Sequence, residues 1–123
     1  MDSTLEYTDG IFICALSGDA EVGTIADLLD AMLSHEKWKP GTSFVHDISK
    51  LNTGPLTVND IRRIADLGAE RIALIGAGKI AVVASRDLEF GLARMLRVFI
   101  VESLDSEFEV FRSRSEALAW LSV

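Results

Sequence analysis

Apolar and polar positions follow two rhythms along this chain, and the clearest change between them falls within Lys79 to Val101. Ile80 to Ala84 is an unbroken apolar run with β-branched residues, the pattern of a strand covered on both faces, as in a parallel sheet. After the polar break Ser85-Arg86-Asp87, residues Leu88, Leu92, Met95, Leu96, Phe99 and Ile100 recur at a helical period. The stretch predicts one buried strand feeding one broadly apolar helix.

Earlier in the chain, Thr4 to Thr8 alternates weakly and meets Asp9-Gly10, a pair suited to the positive φ values of a tight hairpin turn. Ile11 to Leu16 is apolar on both faces, so this second strand is expected inside the sheet and the first at its edge. Asp19 stands where a cap would open a helix carried by Val22, Ile25, Leu29, Met32 and Leu33, which fades near His35 and Glu36 before Pro40-Gly41. Thr42 to Ile48 predicts a third strand, ending in a polar loop from Asp47 to Thr57. Thr57 and Asp60 have capping-box spacing, and Ile61, Ile64, Ala65, Gly68, Ile72 and Ile75 form the stripe of a helix that stops at Gly76-Ala77-Gly78. Towards the end come a polar link (Ser103 to Glu107), a short strand (Phe108 to Phe111) and a helix from Glu116 to Leu121 with Ser115 as its expected cap.

The order β-β-α-β-α-β-α-β-α predicts an α/β fold: a mixed sheet of about five strands with helices packed on it. The first hairpin must be antiparallel, and the remaining strands are expected to pair in parallel through right-handed crossovers. With 123 residues and no linker, a single domain over 1–123 is expected.

Composition narrows the partners. A formal charge of −7 repels phosphate backbones and anionic lipid headgroups, which argues against nucleic acid. The single Cys14 lies in an apolar run, so no intramolecular disulfide forms and the residue reads as packed core rather than a reactive thiol. Its usage suits a reducing compartment. The first residues lack the basic start and apolar core of a signal peptide, no apolar run is long enough to span a membrane, and a cytoplasmic location is the expectation.

The segment KIAVVASRDLEFGLARMLRVFI, followed by FEVFRSRSEALAWL, resembles the C-terminal half of the SpoIIAA-like family. The features that carry the resemblance are the apolar strand at 80–84, Phe90-Gly91-Leu92-Ala93-Arg94-Met95, and Val110-Phe111-Arg112 leading to Glu116-Ala117-Leu118-Ala119-Trp120-Leu121. The opening hairpin, the helix at 20–35 and the strand ending Asp47-Ile48-Ser49 extend the likeness over the first half. That resemblance implies a STAS-like fold with kinship to CRAL-TRIO lipid-carrier domains. In the antagonists of anti-sigma factors within that group, an Asp-Ser-Ser-Gly-like motif opens the second helix and holds a regulatory phosphoserine. This chain instead carries Asn52-Thr53-Gly54-Pro55-Leu56-Thr57, so Ser49, Thr53 and Thr57 are the hydroxyls left for such a switch.

If the strands at 11–16, 42–48 and 80–84 run parallel, the loops after them gather on one rim, where open sheets tend to bind ligands. The rim would collect Ser17 and Asp19, then Asp47, Ser49, Asn52 and Thr53, and finally Ser85, Arg86 and Asp87. The same residue types also cap helices and close turns. Arg86 fits an anion or phosphorylated side chain, or a surface pair with Asp87, Glu89 or Asp47.

Catalytic and metal chemistry find little purchase. His46 and Asp47 are strand neighbours pointing to opposite faces, and His46 reads as a surface or satisfied core histidine. With His35 the only other histidine, neither a zinc site nor a nucleophilic triad is supported, and Gly76-Ala77-Gly78 reads as a helix terminator rather than a dinucleotide loop. No cofactor is implied. Phe90, Met95, Phe99 and Trp120 read as core, and Trp38 as a candidate exposed contact. The leading expectation is a non-enzymatic STAS-like binding or regulatory module acting through a protein partner, with a homodimer as one form. The alternative is a small carrier or sensor of an apolar, lipid-like ligand.

Overall fold

A computed structural model describes residues 1–123. Strands β1 (Asp2–Thr8) and β2 (Ile11–Asp19) form the antiparallel hairpin, turned by Asp9 at φ 50° and Gly10 at φ 80°. Two consecutive positive φ values are what the tightest hairpin turn requires. Strands β3 (Phe44–Asn52), β4 (Lys79–Val83) and β5 (Glu107–Phe111) then add in parallel, giving the order β1-β2-β3-β4-β5 with β1 at one edge.

Helices α1 (Val22–Leu33), α2 (Val58–Glu70), the single turn α3 (Ile72–Ile75) and α4 (Asp87–Val101) connect the parallel strands, and α5 (Arg114–Leu121) follows β5. The strand order never reverses, so crossovers of one hand put α1, α2 and α4 on the same face. On that face lies the main core, with Phe12, Cys14, Phe44, Ile80 and Val82 from the strands against Ile25, Met32, Ala65 and Ile100 from the helices. The opposite face is covered by α5 alone. There Ile13, Val45, Ala81 and Val83 pack on Ala117, which is why the strand at 80–84 is apolar on both sides.

Four local expectations are corrected. β3 does not end at Ile48: it runs to Asn52, because β2 and β3 resume pairing beyond a bulge, Ala15 opposing Asp47 but Ser17 opposing Lys50. Asp19 therefore lies in β2 rather than capping α1, whose N-cap is Glu21 with no side-chain cap bond. The stripe over Ile61 to Ile75 is broken at Arg71 (φ −114°, ψ 16°), which separates α2 from α3. At α5 the cap is Ser113, whose hydroxyl accepts from Glu116 N–H at 3.3 Å, rather than Ser115. The capping box of α2 is present as expected, Thr57 and Asp60 each bonding the other's backbone N–H.

Trp38 is also corrected. It is buried at 9% exposure between Phe12 and Phe44, and its indole N–H donates to the Leu74 carbonyl at 2.8 Å. Nearby, the two chain-breaking stretches pack backbone to backbone: a Cβ on Gly76 or Gly78 would collide with the main chain at Pro40 and Gly41. Cys14 is wholly enclosed in β2, and burial pushes its thiol up to about 12. No helix is long and apolar enough to cross a membrane.

Candidate functional site

The expected rim exists at the carboxyl ends of β2, β3 and β4, but it does not form one site. Side chains on a strand alternate between faces, and the bulge in β3 shifts that alternation by one residue. Ile48 and Leu51 both reach the helix-side core, while Ser49 and Lys50 both line the other face. The polar residues of the rim are divided between two clusters on opposite faces of the sheet.

The first cluster centres on Asp47, at 8% exposure on the α5 face. Its Oδ1 accepts from the Ser49 N–H at 3.0 Å and the Ser49 hydroxyl at 2.6 Å. Its Oδ2 accepts from Arg114 Nε at 3.1 Å and Nη2 at 2.8 Å. Burial acts to raise the Asp47 pKa, but the Ser49 hydrogen bonds and the Arg114 guanidinium outweigh it and hold the carboxyl below its ordinary range. This pair floors an open polar groove of about 280 Å³, with Asp2, Thr4 and Ser17 on its wall. The groove is there because α5 covers only part of its face.

The second cluster lies on the α4 side. Thr53 and Glu89 are both 3% exposed, and the Thr53 hydroxyl donates to Glu89 Oε2 at 2.5 Å. Arg86 Nε pairs with Glu89 Oε1 at 2.8 Å, and its Nη2 donates to the Leu51 carbonyl. The knot ties the first turn of α4 to the end of β3. A buried carboxylate needs such partners, and here both its oxygens have them.

The remaining rim residues take separate roles. Asn52 Nδ2 donates to Asp19 Oδ1 at 2.8 Å, and Asn52 Oδ1 accepts from Gly54 N–H at 3.1 Å. Asp87, 95% exposed at its side chain, pairs with Arg112 at 2.7 Å, and Arg112 also donates to the Ser85 carbonyl at 3.3 Å. Of the three candidate hydroxyls for a phosphate switch, Ser49 is bonded to Asp47 and Thr53 is enclosed beside Glu89. Thr57 is exposed, as the cap of α2.

Residues absent from the expected rim complete it. Arg114 comes from the far end of the chain and meets Asp47 only because β4 lays β5 and α5 beside it. Glu89 was visible only as a surface partner for Arg86; its place in the first turn of α4, three residues after Arg86, is the signal that the pair exists. No cluster of three or more His, Cys, Asp or Glu is placed to hold a metal ion.

His46 is partly exposed, and its ring is not fully satisfied. It faces the helix-side core from β3, Nε2 is shut off from solvent, and that atom has no hydrogen-bond partner. Burial lowers its pKa to about 4, so the imidazole is neutral at pH 7.

No described protein family matches the sequence, and no curated protein does. Among solved structures, the chain is similar to an uncharacterised protein of the DUF3478 family from Shewanella loihica PV-4, described as having a SpoIIAA-like fold. The two share 18% identity over 98% of this chain and 92% of that one, with a TM-score of 0.64. At that identity the likeness reports architecture: a five-stranded mixed sheet with its crossover helices on one side, which is the SpoIIAA-like fold.

Proposed function

We propose that this chain is a non-enzymatic STAS-like regulatory module that acts in the cytoplasm through protein contacts made by the outer face of α4. The observation that carries this reading is a line of apolar positions at alternating spacings of three and four, Leu88, Gly91, Met95 and Val98. Leu88 and Val98 are 58% and 54% exposed. Met95 between them, read from the sequence as core, is partly exposed and packs in neither core cluster, and apolar side chains left open along one line of a helix mark a contact face. Gly91 adds to it, since a Cβ there would meet nothing within 4 Å, and its bare backbone lets a second element approach closely. Asp87, Arg94 and Glu102 border the line with charges that can fix the orientation of a partner. The polar clusters favour the same reading, for their charged groups are engaged with one another in the fold's own ties.

The lipid-carrier alternative has less support. The apolar cavities beneath the helices measure about 70 Å³ each, against roughly 300–1,000 Å³ for sites that enclose drug-sized ligands.

The test is a photo-crosslinking residue at Val98, illuminated in the native host. The expected result is a discrete protein adduct, lost in Leu88→Glu and Met95→Glu variants that retain wild-type thermal unfolding. An adduct at twice the chain mass identifies the partner as a second copy. A folded protein that yields no protein adduct from Val98 overturns the proposal.

A further inference from the structure

The two apolar cavities lie side by side between the sheet and the helices, sharing Ile25, His46, Ile64, Val82 and Leu96 as a common wall. One reaches towards Phe108 and Leu104, the other towards Leu56 and Thr53. His46 is the one polar side chain common to both, and its Nε2 is the one buried side-chain nitrogen or oxygen in the chain without a partner.

An unpaired polar atom in an apolar interior is costly, and a molecule that pairs with it recovers that cost on binding. We propose that this double cavity binds a small, neutral, apolar molecule bearing one hydroxyl group, of the size of phenol, with its hydroxyl hydrogen-bonded to the His46 imidazole. Each part of that description follows from the lining. The two spaces of about 70 Å³ are divided by their shared side chains, so a ring of benzene's size, which elsewhere fills an apolar cavity of roughly 150 Å³, occupies both only when side chains of that wall such as Ile64 and Leu96 turn aside. The walls are almost wholly aliphatic and aromatic, so the body of the ligand is hydrocarbon.

Neutrality follows from what faces the space. His46 carries no charge at pH 7, and no Asp, Glu, Lys or Arg lines either cavity. An anionic ligand would be desolvated there without a counter-charge. A hydroxyl both donates and accepts, so it meets either neutral tautomer of the imidazole. Water is a poor occupant, because a buried water needs about two to four polar partners. The other polar side chain of the lining, Thr53, already gives its proton to Glu89.

Reaching Nε2 requires the apolar side chains that cover it to part, among them Ile64 and Leu96, which line both cavities and are only partly buried. The site is independent of the contact face proposed for α4, which uses the other side of that helix.

The experiment is titration of the full-length chain with phenol, toluene and benzoate, followed by the imidazole ¹⁵N resonances of His46 and by the shift in thermal midpoint. Phenol is expected to bind saturably, move the His46 resonances and raise the midpoint. Toluene is expected to bind at least about tenfold more weakly, in line with the loss of one buried hydrogen bond, and benzoate not at all. His46→Phe should bring phenol down to the level of toluene, and Ile64→Phe, which fills the common wall, should weaken both. The proposal is overturned if phenol gives no saturable change, if phenol and toluene bind alike with the His46 resonances still, or if Ile64→Phe binds phenol as the wild type does. The wild-type resonances decide the matter even if either variant fails to fold.

Discussion

His46 sits on the middle strand of the sheet as a neutral base that protonates easily in the unfolded chain and with difficulty in the folded one. Its folded pKa of about 4 lies below the ordinary 6.5, so the unfolded state binds more protons throughout that interval. Stability therefore falls as pH drops from about 6.5 towards 4, with a slope of up to about 1.4 kcal/mol per pH unit. Urea unfolding of wild type and His46→Phe across that range should show the slope in the former and its loss in the latter. Asp47 acts in the same sense, at lower pH. Its pKa is depressed, so its contribution is present above the unfolded value of 3.8 and disappears as pH falls through the folded one. Asp47→Ala should lower stability at pH 7 by about 1–3 kcal/mol, the usual scale for hydrogen bonds to a charged group, with the gap from wild type closing in acid. Denaturant midpoints at pH 7 and pH 3 provide the check.

At the scale of elements, the two glycine settings make opposite predictions. Gly91 lies in the interior of α4 with open space where a side chain would be, so Gly91→Ala should stabilise the fold by about 0.5–1 kcal/mol. Gly78 faces the backbone of Gly41 and Thr42, and Gly78→Ala should destabilise it, because main chain cannot give way as a flexible side chain can. Thermal midpoints of the two variants separate these cases.

Most of the elements were legible in the sequence because each rests on local chemistry. Asp9-Gly10 dictates a turn, Thr57 and Asp60 a helix start, and Ile80 to Ala84 a strand buried on both sides. What escaped were features decided between distant segments. Polar residues from Ser49 to Asn52 read as loop, yet they continue β3 because β2 offers backbone partners beyond the bulge, and Trp38 read as exposed because its partner, the Leu74 carbonyl, lies 36 residues away. The rim residues were identified by type, but their division into two clusters depended on a shift of alternation that no pattern of residue types encodes.

For the whole molecule, the constant direction in which strands are added produces a two-sided body: thick on the side of α1, α2 and α4, thin on the side of α5. β1 pairs with a single neighbour and is mostly exposed along its length. Hydrogen exchange should therefore grade across the sheet, slowest at the amides of β3 and β4 and fastest in β1. Exchange resolved amide by amide by NMR would show this gradient, and equal protection of β1 and β4 would contradict it.

The bulge in β3 also acts as a counting device. Because it turns Ser49 and Lys50 to the same side, the strand carries one residue more than plain alternation needs between Ile48 and Leu51. Removing Ser49 would cost Asp47 its hydroxyl partner but leave Leu51 in the core and Thr53 beside Glu89, whereas removing one residue after the bulge, such as Asn52, would turn Thr53 to the other face and take the anchor from the start of α4. Of two deletions that change the composition equally little, the one inside the bulge should be the milder.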